Sequence, residues 1–334
     1  MSAVIQQSFE LGTQWPTLDP FLFCAHHLDH YPAADGRLGP GTSLVGRTIG
    51  QDFAGRDGWN MYHGSSVPGF PQHPHRGFET VTYVRRGWCD HSDSLGAQAR
   101  FGDGDVQWLT AGAGIVHSEM FPLFDERGQN TLHLFQIWLN LPAADKMVDP
   151  YFSMLWREEI PRYSPSESGV EVTVIAGSLD AIDAPKPPPD SWAAKPDAHV
   201  GIWHLRFEPG GHWNLPAATE GCARVLYLFE GEGLNVGDEP LANNHGALLD
   251  GSAPIELAAA STGAECLILQ GRPIDEPVAQ QGPFVMNDAE GIRRTIQDYQ
   301  RTGFGGWPWP RPDPVHGPAA VRFARHVDGR IEHP

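Results

Sequence analysis

The chain has 334 residues, 40% of them apolar and 10% aromatic, which is enough to pack two ordinary domains and excludes wholesale disorder. Its 41 acidic side chains outnumber the 23 basic ones, and a formal charge of −18 repels phosphate backbones and anionic lipid heads, so direct binding to nucleic acid or a membrane surface is disfavoured. The N-terminal MSAVIQQSFELGTQWPTLDP lacks a basic stretch ahead of an apolar core of roughly 7 to 15 residues, and no run of about 18 apolar residues occurs, so a soluble, cytoplasmic protein is expected.

Cys24, Cys89, Cys222 and Cys266 lie far apart and form no CxxC pair, which signals neither a zinc knuckle nor a disulfide scaffold; reduced, buried thiols are expected. Thirty-eight glycines and thirty prolines cut the chain into short apolar runs, a punctuation that favours strands joined by turns. HHLDH, with His26, His27 and His30, has an i, i+4 histidine pair but no helical pattern around it, so no metal site is expected there. HPHRGFETVTYV (73–84) then leads two histidines into a strand at 78–84. CDHSDSLG (89–96) reads as an acidic turn that leaves Asp90 and Asp93 in solvent around His91. GDVQWLTA (104–111), GIVHSEM (114–120) and LHLFQIWLNL (132–141) complete a set of short strands suited to a sandwich or small barrel.

A break fits residues 143–150. Beyond it VEVTVIAG (170–177), VGIWHLRFEPG (200–210), CARVLYLFEGEGLNV (222–236) and AECLILQG (264–271) repeat the style and predict a second β-domain of similar size. DAPKPPPDSWAAKPD (183–197) is too rich in proline for regular pairing and should be a surface excursion. NDAEGIRRTIQDYQRTG (287–303) predicts one helix, with Asn287 as N-cap, Ile292, Ile296 and Tyr299 at i, i+4, i+7, and Gly303 as its close. FGGWPWPRPDPVHG (304–317) should then lie as an extended strap on the body of the protein.

The chemistry is concentrated in two short motifs. Residues i and i+2 of a strand share a face, so His73 and His75 aim together, and His117 and Glu119 repeat the spacing after a turn that Gly112 and Gly114 permit. Two such pairs on facing strands of a small barrel would bring three imidazoles and one carboxylate to one focus, a ligand set suited to a divalent transition metal. No rival motif competes: the chain has no GxSxG elbow, no Walker sequence, and no GxGxxG between a strand and a helix.

HPHRGFETVTY, DSLG, GDVQWLTAGAGIVHSEM, FQIWLNLP, GPFVMND and DYQRTGFG, spread in order over residues 15–310, resemble the pirin family of the cupin superfamily. The resemblance implies an all-β bicupin, two β-barrel or jelly-roll domains with a C-terminal helix and extended tail. A metal-binding cupin is expected over 1–148, a degenerate cupin without metal over 149–280, and the helix and tail over 281–334. By motif match, Fe(II), or another divalent transition metal, would be held by His73, His75, His117 and Glu119. The implied activity is quercetin 2,3-dioxygenase-like, acting on a small aromatic, flavonol-like substrate with O2. The alternative within the family is a redox-sensing, iron-dependent regulatory protein with a protein partner, either as transcription co-regulator or bound to an enzyme.

Cupins at large take their carboxylate ligand from the first motif, where this chain has Glu79. With Glu119 in that role, Glu79 is expected to face inward and hydrogen-bond a histidine ligand, and either carboxylate could accept the substrate proton. Gln136 matches a characteristic pirin position and should line the site, whereas His133, of the other parity, should not. In the second domain GGHWNLP (210–216) offers only His212 and Asn214 where a metal motif would stand.

Overall fold

The computed structural model describes residues 3–334, and the chain is built from short strands with a single α-helix among the described residues, Ala289–Thr302. No helix among them is long and apolar enough to cross a membrane. Two compact units form, and they do not follow chain order: residues up to Ala25, Trp138–Asn140 and Glu158–Asp275 make one, while His26–Ile137, Leu141–Arg157 and the chain from Glu276 onward make the other.

The first unit is a two-sheet β-domain. One sheet runs in the order Ile5–Glu10, His245–Leu249, Ala223–Gly231, Ala264–Gly271, Gly201–Phe207, Val170–Ala176 and Arg162–Tyr163. The N-terminal strand is therefore a component of this unit, with Phe9 opposite Gly246. The second sheet runs His212–Leu215, Ile255–Ala259, Gly233–Val236 and Glu239–Ala242. Strict alternation puts Val170, Val172 and Val174, Trp203 and Leu205, and Leu226 and Leu228 into one apolar core with Leu257 and Ile268. On His212–Leu215 the inward positions are Trp213 and Leu215, and His212 and Asn214 are exposed on the opposite face.

The second unit has the same plan with a more polar interior. One sheet contains Tyr151–Leu155, Val106–Thr110, Phe78–Arg86, residues 130–137 and residues 26–31; the other contains Phe323–Arg325, Gln98–Gly102, Trp88–Asp93, Ile115–Met120 and Gly69–His75. Leu109, Leu132 and Leu134 from the first meet Ala99, Phe101 and Ile115 from the second. HHLDH proves to be strand, part of Phe21–Tyr31. CDHSDSLG departs from the expected turn: Trp88–Asp93 is a strand, and Asp90, His91 and Asp93 are all fully buried. The acidic side chains are tolerated there because each has a partner, as the Asp90–Arg100 pair shows below.

The helix sits where the sequence places it, with its cap one residue later than expected. Asp288 Oδ1, not Asn287, accepts from Gly291 N–H at 2.7 Å, and Gly303 closes the last turn in the left-handed region at φ 55°. Ile292 is buried with Val116, Phe284 and Phe304, and Ile296 and Tyr299 pack around them. Arg76, next to His75, joins the helix to the strand end: its Nη1 donates to Asp298 Oδ2 at 3.0 Å, its Nε to Ala113 O at 2.7 Å, and its guanidinium lies over the Phe304 ring.

Gly77 turns the chain immediately after the HPH motif at φ 85°, and a Cβ there would stand 1.9 Å from Val285 O. Both the left-handed backbone and the carbonyl forbid a side chain. Gly77→Ala is expected to lower unfolding free energy by about 2 kcal/mol or more; chemical denaturation that shows no shift would refute this account of the turn.

Candidate metal centre

Strands Gly69–His75 and Ile115–Met120 pair antiparallel, with His73 opposite His117 and His75 opposite Ile115. The two i, i+2 motifs thus occupy neighbouring, hydrogen-bonded strands rather than facing ones. Directly opposed residues on an antiparallel pair share a face at close range, so register alone brings the imidazoles together. Ring centroids are 4.4 Å apart for His73 and His117, 4.8 Å for His75 and His117, and 4.8 Å for His73 and His75. One nitrogen from each can be chosen such that all lie within 4.8 Å of one another. Between Phe70 and His73 the register shifts by a bulge, which sets Phe70 opposite Glu119 and turns the HPH segment toward the partner strand.

Glu119 lies beside these three histidines, outside the group whose ligand atoms all approach one another. Its Oε2 lies 3.9 Å from His117 Nε2 and accepts from Gln136 Nε2 at 2.5 Å, while Oε1 accepts from Thr82 Oγ1 at 3.0 Å. His73 Nδ1–H donates to Pro71 O at 2.9 Å, which fixes the tautomer and leaves Nε2 with its lone pair. Burial lowers the pKa of His73 to about 4 and pushes His75 and His117 well below the usual imidazole range, with the neighbouring imidazoles adding to the effect. Burial likewise raises the Glu119 carboxyl above its ordinary value. The three rings are therefore neutral donors.

His117 is fully buried, and neither of its ring nitrogens has a hydrogen-bond partner. A buried imidazole left in that condition costs about 1 to 3 kcal/mol for each unsatisfied polar group. Three neutral imidazoles at this spacing, with a carboxylate beside them, fit a divalent first-row transition metal, which would satisfy the nitrogen that His117 otherwise wastes.

The remaining sequence candidates divide by face. Gln136 reaches Glu119, as expected of a lining residue. His133, of opposite parity, turns away and meets His26 Nε2 at 2.9 Å and Arg85 at 3.2 Å. Glu79 does not join the cluster: it is fully buried, but its Oε1 accepts from Trp108 Nε1 at 3.2 Å and Thr110 Oγ1 at 2.7 Å. Thr82, three residues on and of the other parity, is the side chain that reaches Glu119, so strand alternation carries Glu79 to the opposite face of the sheet. The inward parity expected for Glu79 is corrected accordingly.

His91 and Asp93, expected in a loop, instead stand opposite Glu119 and His117 on the next strand. The His91 ring lies 5.4 Å from that of His117, and its Nε2 is 3.2 Å from Asp93 Oδ2. The C-terminal strap holds this strand: Trp309 Nε1 donates to Asp93 O at 2.8 Å and His316 Nε2 to His91 O at 2.7 Å. Asp90 on the same strand takes a two-pronged bond from Arg100, Nε to Oδ1 at 2.7 Å and Nη2 to Oδ2 at 2.6 Å, and His316 N–H donates to Asp90 Oδ2 at 2.8 Å. Arg100 Nη1 then binds the carbonyls of Gly317 and Ala319.

Residues 5–139 match the Pirin family model, and residues 202–305 match that of the pirin C-terminal cupin domain. A pirin-like protein of Solanum lycopersicum is 36% identical over 275 residues, covering 78% of this chain and 88% of its own. The chain belongs to the pirin family. Human pirin is 33% identical over 252 residues, 74% of this chain and 81% of that protein. Among solved structures, one of quercetin 2,3-dioxygenase from Acinetobacter baumannii superposes with a TM-score of 0.70 at 26% identity, covering 90% of this chain and 98% of that one. This pirin is thus an all-β protein of two cupin domains.

The Asp90–Arg100 pair is fully buried on both sides. Arg100→Leu would strand a carboxylate beneath the strap, for which a loss of about 3 to 5 kcal/mol is expected. Thermal denaturation is the check; a variant as stable as the parent would contradict the role assigned to this pair.

Proposed function

We propose that this pirin is a flavonol dioxygenase of the quercetin 2,3-dioxygenase type, with Fe(II) held by His73, His75, His117 and Glu119. The observation that carries the reading is the convergence of three neutral imidazoles, His75 and His117 buried and His73 half-buried, with His117 lacking any hydrogen-bond partner, beside a buried carboxylate. The likeness to a solved protein named quercetin 2,3-dioxygenase supports the choice of substrate class.

Bound there, the metal supplies Lewis acidity and a redox couple for the reaction of an electron-rich enol with dioxygen. The chain supplies orientation and proton handling. Pro71 O holds the His73 ring with Nε2 toward the centre. Thr82 and Gln136 hold one Glu119 oxygen each and so fix the plane of the carboxylate. Glu119, held by Thr82 and Gln136 beside the histidines, is the carboxylate placed to accept the proton of a substrate hydroxyl. The closely packed strands around the cluster, with His75 and His117 almost wholly enclosed, exclude water from it.

His117→Ala is expected to abolish both iron retention and oxygen uptake with quercetin, measured by metal analysis after anaerobic purification and by an oxygen electrode. Glu79→Gln, on the opposite face of its strand, should keep both. Saturating metal at about a hundredfold over Kd should stabilise the wild type by about 2.7 kcal/mol against thermal unfolding and leave His117→Ala unmoved. Iron-loaded wild type that consumes no oxygen with any flavonol or catechol would overturn the enzymatic reading.

A further inference from the structure

Beside the metal centre lies a second buried polar system that the centre itself does not use. Asp29, on the strand Phe21–Tyr31, is fully buried; its Oδ1 accepts from Asn60 N–H at 2.8 Å and Asn60 Nδ2 at 3.1 Å. Its Oδ2 accepts the Tyr62 hydroxyl proton at 2.6 Å. With that proton committed, the Tyr62 oxygen can only accept from the next group, His27 Nδ1, 2.8 Å away. The chain of bonds therefore fixes His27 as the Nδ1–H tautomer. Its Nε2 keeps a lone pair, and His27, half-buried, makes no other hydrogen bond.

Two further observations mark this system as more than packing. Tyr62 holds a left-handed backbone at φ 56°, a conformation a bulky side chain adopts only at a cost of about 1 to 3 kcal/mol. It is locked there by paired bonds with Asp52, N to O at 2.9 Å in both directions. The rings around it also form a continuous aromatic path. Phe53, 52% exposed, and the exposed His63 meet Phe70 at centroid distances of 6.3 and 5.7 Å. Phe70 stacks on Tyr62 at 5.0 Å, lies 5.7 Å from His27, and reaches His73 of the metal cluster at 6.3 Å. Ring contacts therefore run without a break from an exposed phenylalanine to a metal-site histidine, an apolar aromatic wall of the kind that flat rings pack against.

We infer that this aromatic path is the entrance for a planar phenolic substrate and that His27, through the Nε2 acceptor, binds one of its hydroxyl groups. Tyr62 and Asp29 are positioning residues that set the tautomer of His27. The inference rests on the proposed metal centre and adds to it the residue that orients the ring. A flat polyphenol against Phe70 meets both needs: an apolar face for the rings, and a hydroxyl donor for the acceptor that His27 keeps beside it.

The test is equilibrium binding of quercetin under argon to metal-loaded wild type, His27→Phe, His27→Gln and Tyr62→Phe, with metal content measured on each. All four should carry one metal per chain. His27→Phe and Tyr62→Phe should each weaken quercetin binding about fivefold to tenfold, the loss of one hydrogen bond, and His27→Gln, which restores an acceptor, should recover most of it. The double variant His27→Phe/Tyr62→Phe should bind no more weakly than His27→Phe alone, because Tyr62 acts only through His27; a merely structural role would make the two losses add. Unchanged affinity in metal-bearing His27→Phe overturns the role of His27 and leaves the metal reading standing. Absence of metal from the wild type overturns the metal reading instead. Should His27→Phe fail to fold, unchanged affinity in Tyr62→Phe overturns the inference by itself.

Discussion

The register between Gly69–His75 and Ile115–Met120 is the constraint on which the site depends. With His73 directly opposite His117, the side-chain period of two puts His75 and Glu119 on the same face without any further device. A slip by one residue would send one motif to the other face and scatter the cluster. Several features hold that register. Gly77 permits the turn after HPH, and the backbone of Arg76 receives Val285 N–H at 3.0 Å. The Arg76 side chain ties the same point to the helix, whose cap and apolar stripe dock it over Val116. On the far side the strap pins Trp88–Asp93, the neighbour of Ile115–Met120, through Arg100 and Asp90.

That arrangement explains the contrast between the two cupin domains. In the one built around residues 170–271 the inward face carries Val172, Leu205, Leu226 and Leu257, and the only histidine at the motif position points outward. Its core is apolar, and its buried polar side chains, His204 with Glu265 and Arg224 with Gln270, are paired with each other. In the other, a comparable two-sheet plan encloses His75, His117, Glu119, Asp29 and Asp90, each of which would be costly without a partner. Some of these have protein partners and some do not. Asp29 and Asp90 are fully bonded, Glu119 is held on both oxygens, and His117 is the group left over. Within the histidine cluster, the unsatisfied polarity of His117 thus falls at the position where a metal would stand.

Much of this was legible in the sequence. The strands at 78–84, 104–111, 114–120, 132–141 and 170–177 announce themselves by β-branched and aromatic content between glycines, and the helix by its i, i+4, i+7 stripe. The i, i+2 histidines imply a shared face as soon as their segments are read as strands. What was not legible depended on pairing partners distant in the chain. Asp90 and Asp93 look solvated until Arg100 and the strap cover them. Glu79 and Thr82 differ in face by parity, but which parity is inward depends on the sheet opposite. Asn287 and Asp288 are equally good caps, and only geometry decides between them. The pairing of Ile5–Glu10 with His245–Leu249, and the Asp29–Tyr62–His27 chain, join residues more than 30 positions apart with no motif to mark them.

The central claim is that one divalent metal is held by three imidazoles and one carboxylate of the same cupin. X-ray absorption spectroscopy at the metal edge, on protein purified and loaded with iron under anaerobic conditions, tests it most directly. The account predicts a single class of site with three imidazole nitrogens and a carboxylate oxygen at about 2.0 to 2.3 Å. A shell without imidazole scattering, or one dominated by sulfur from the cysteines, would contradict it.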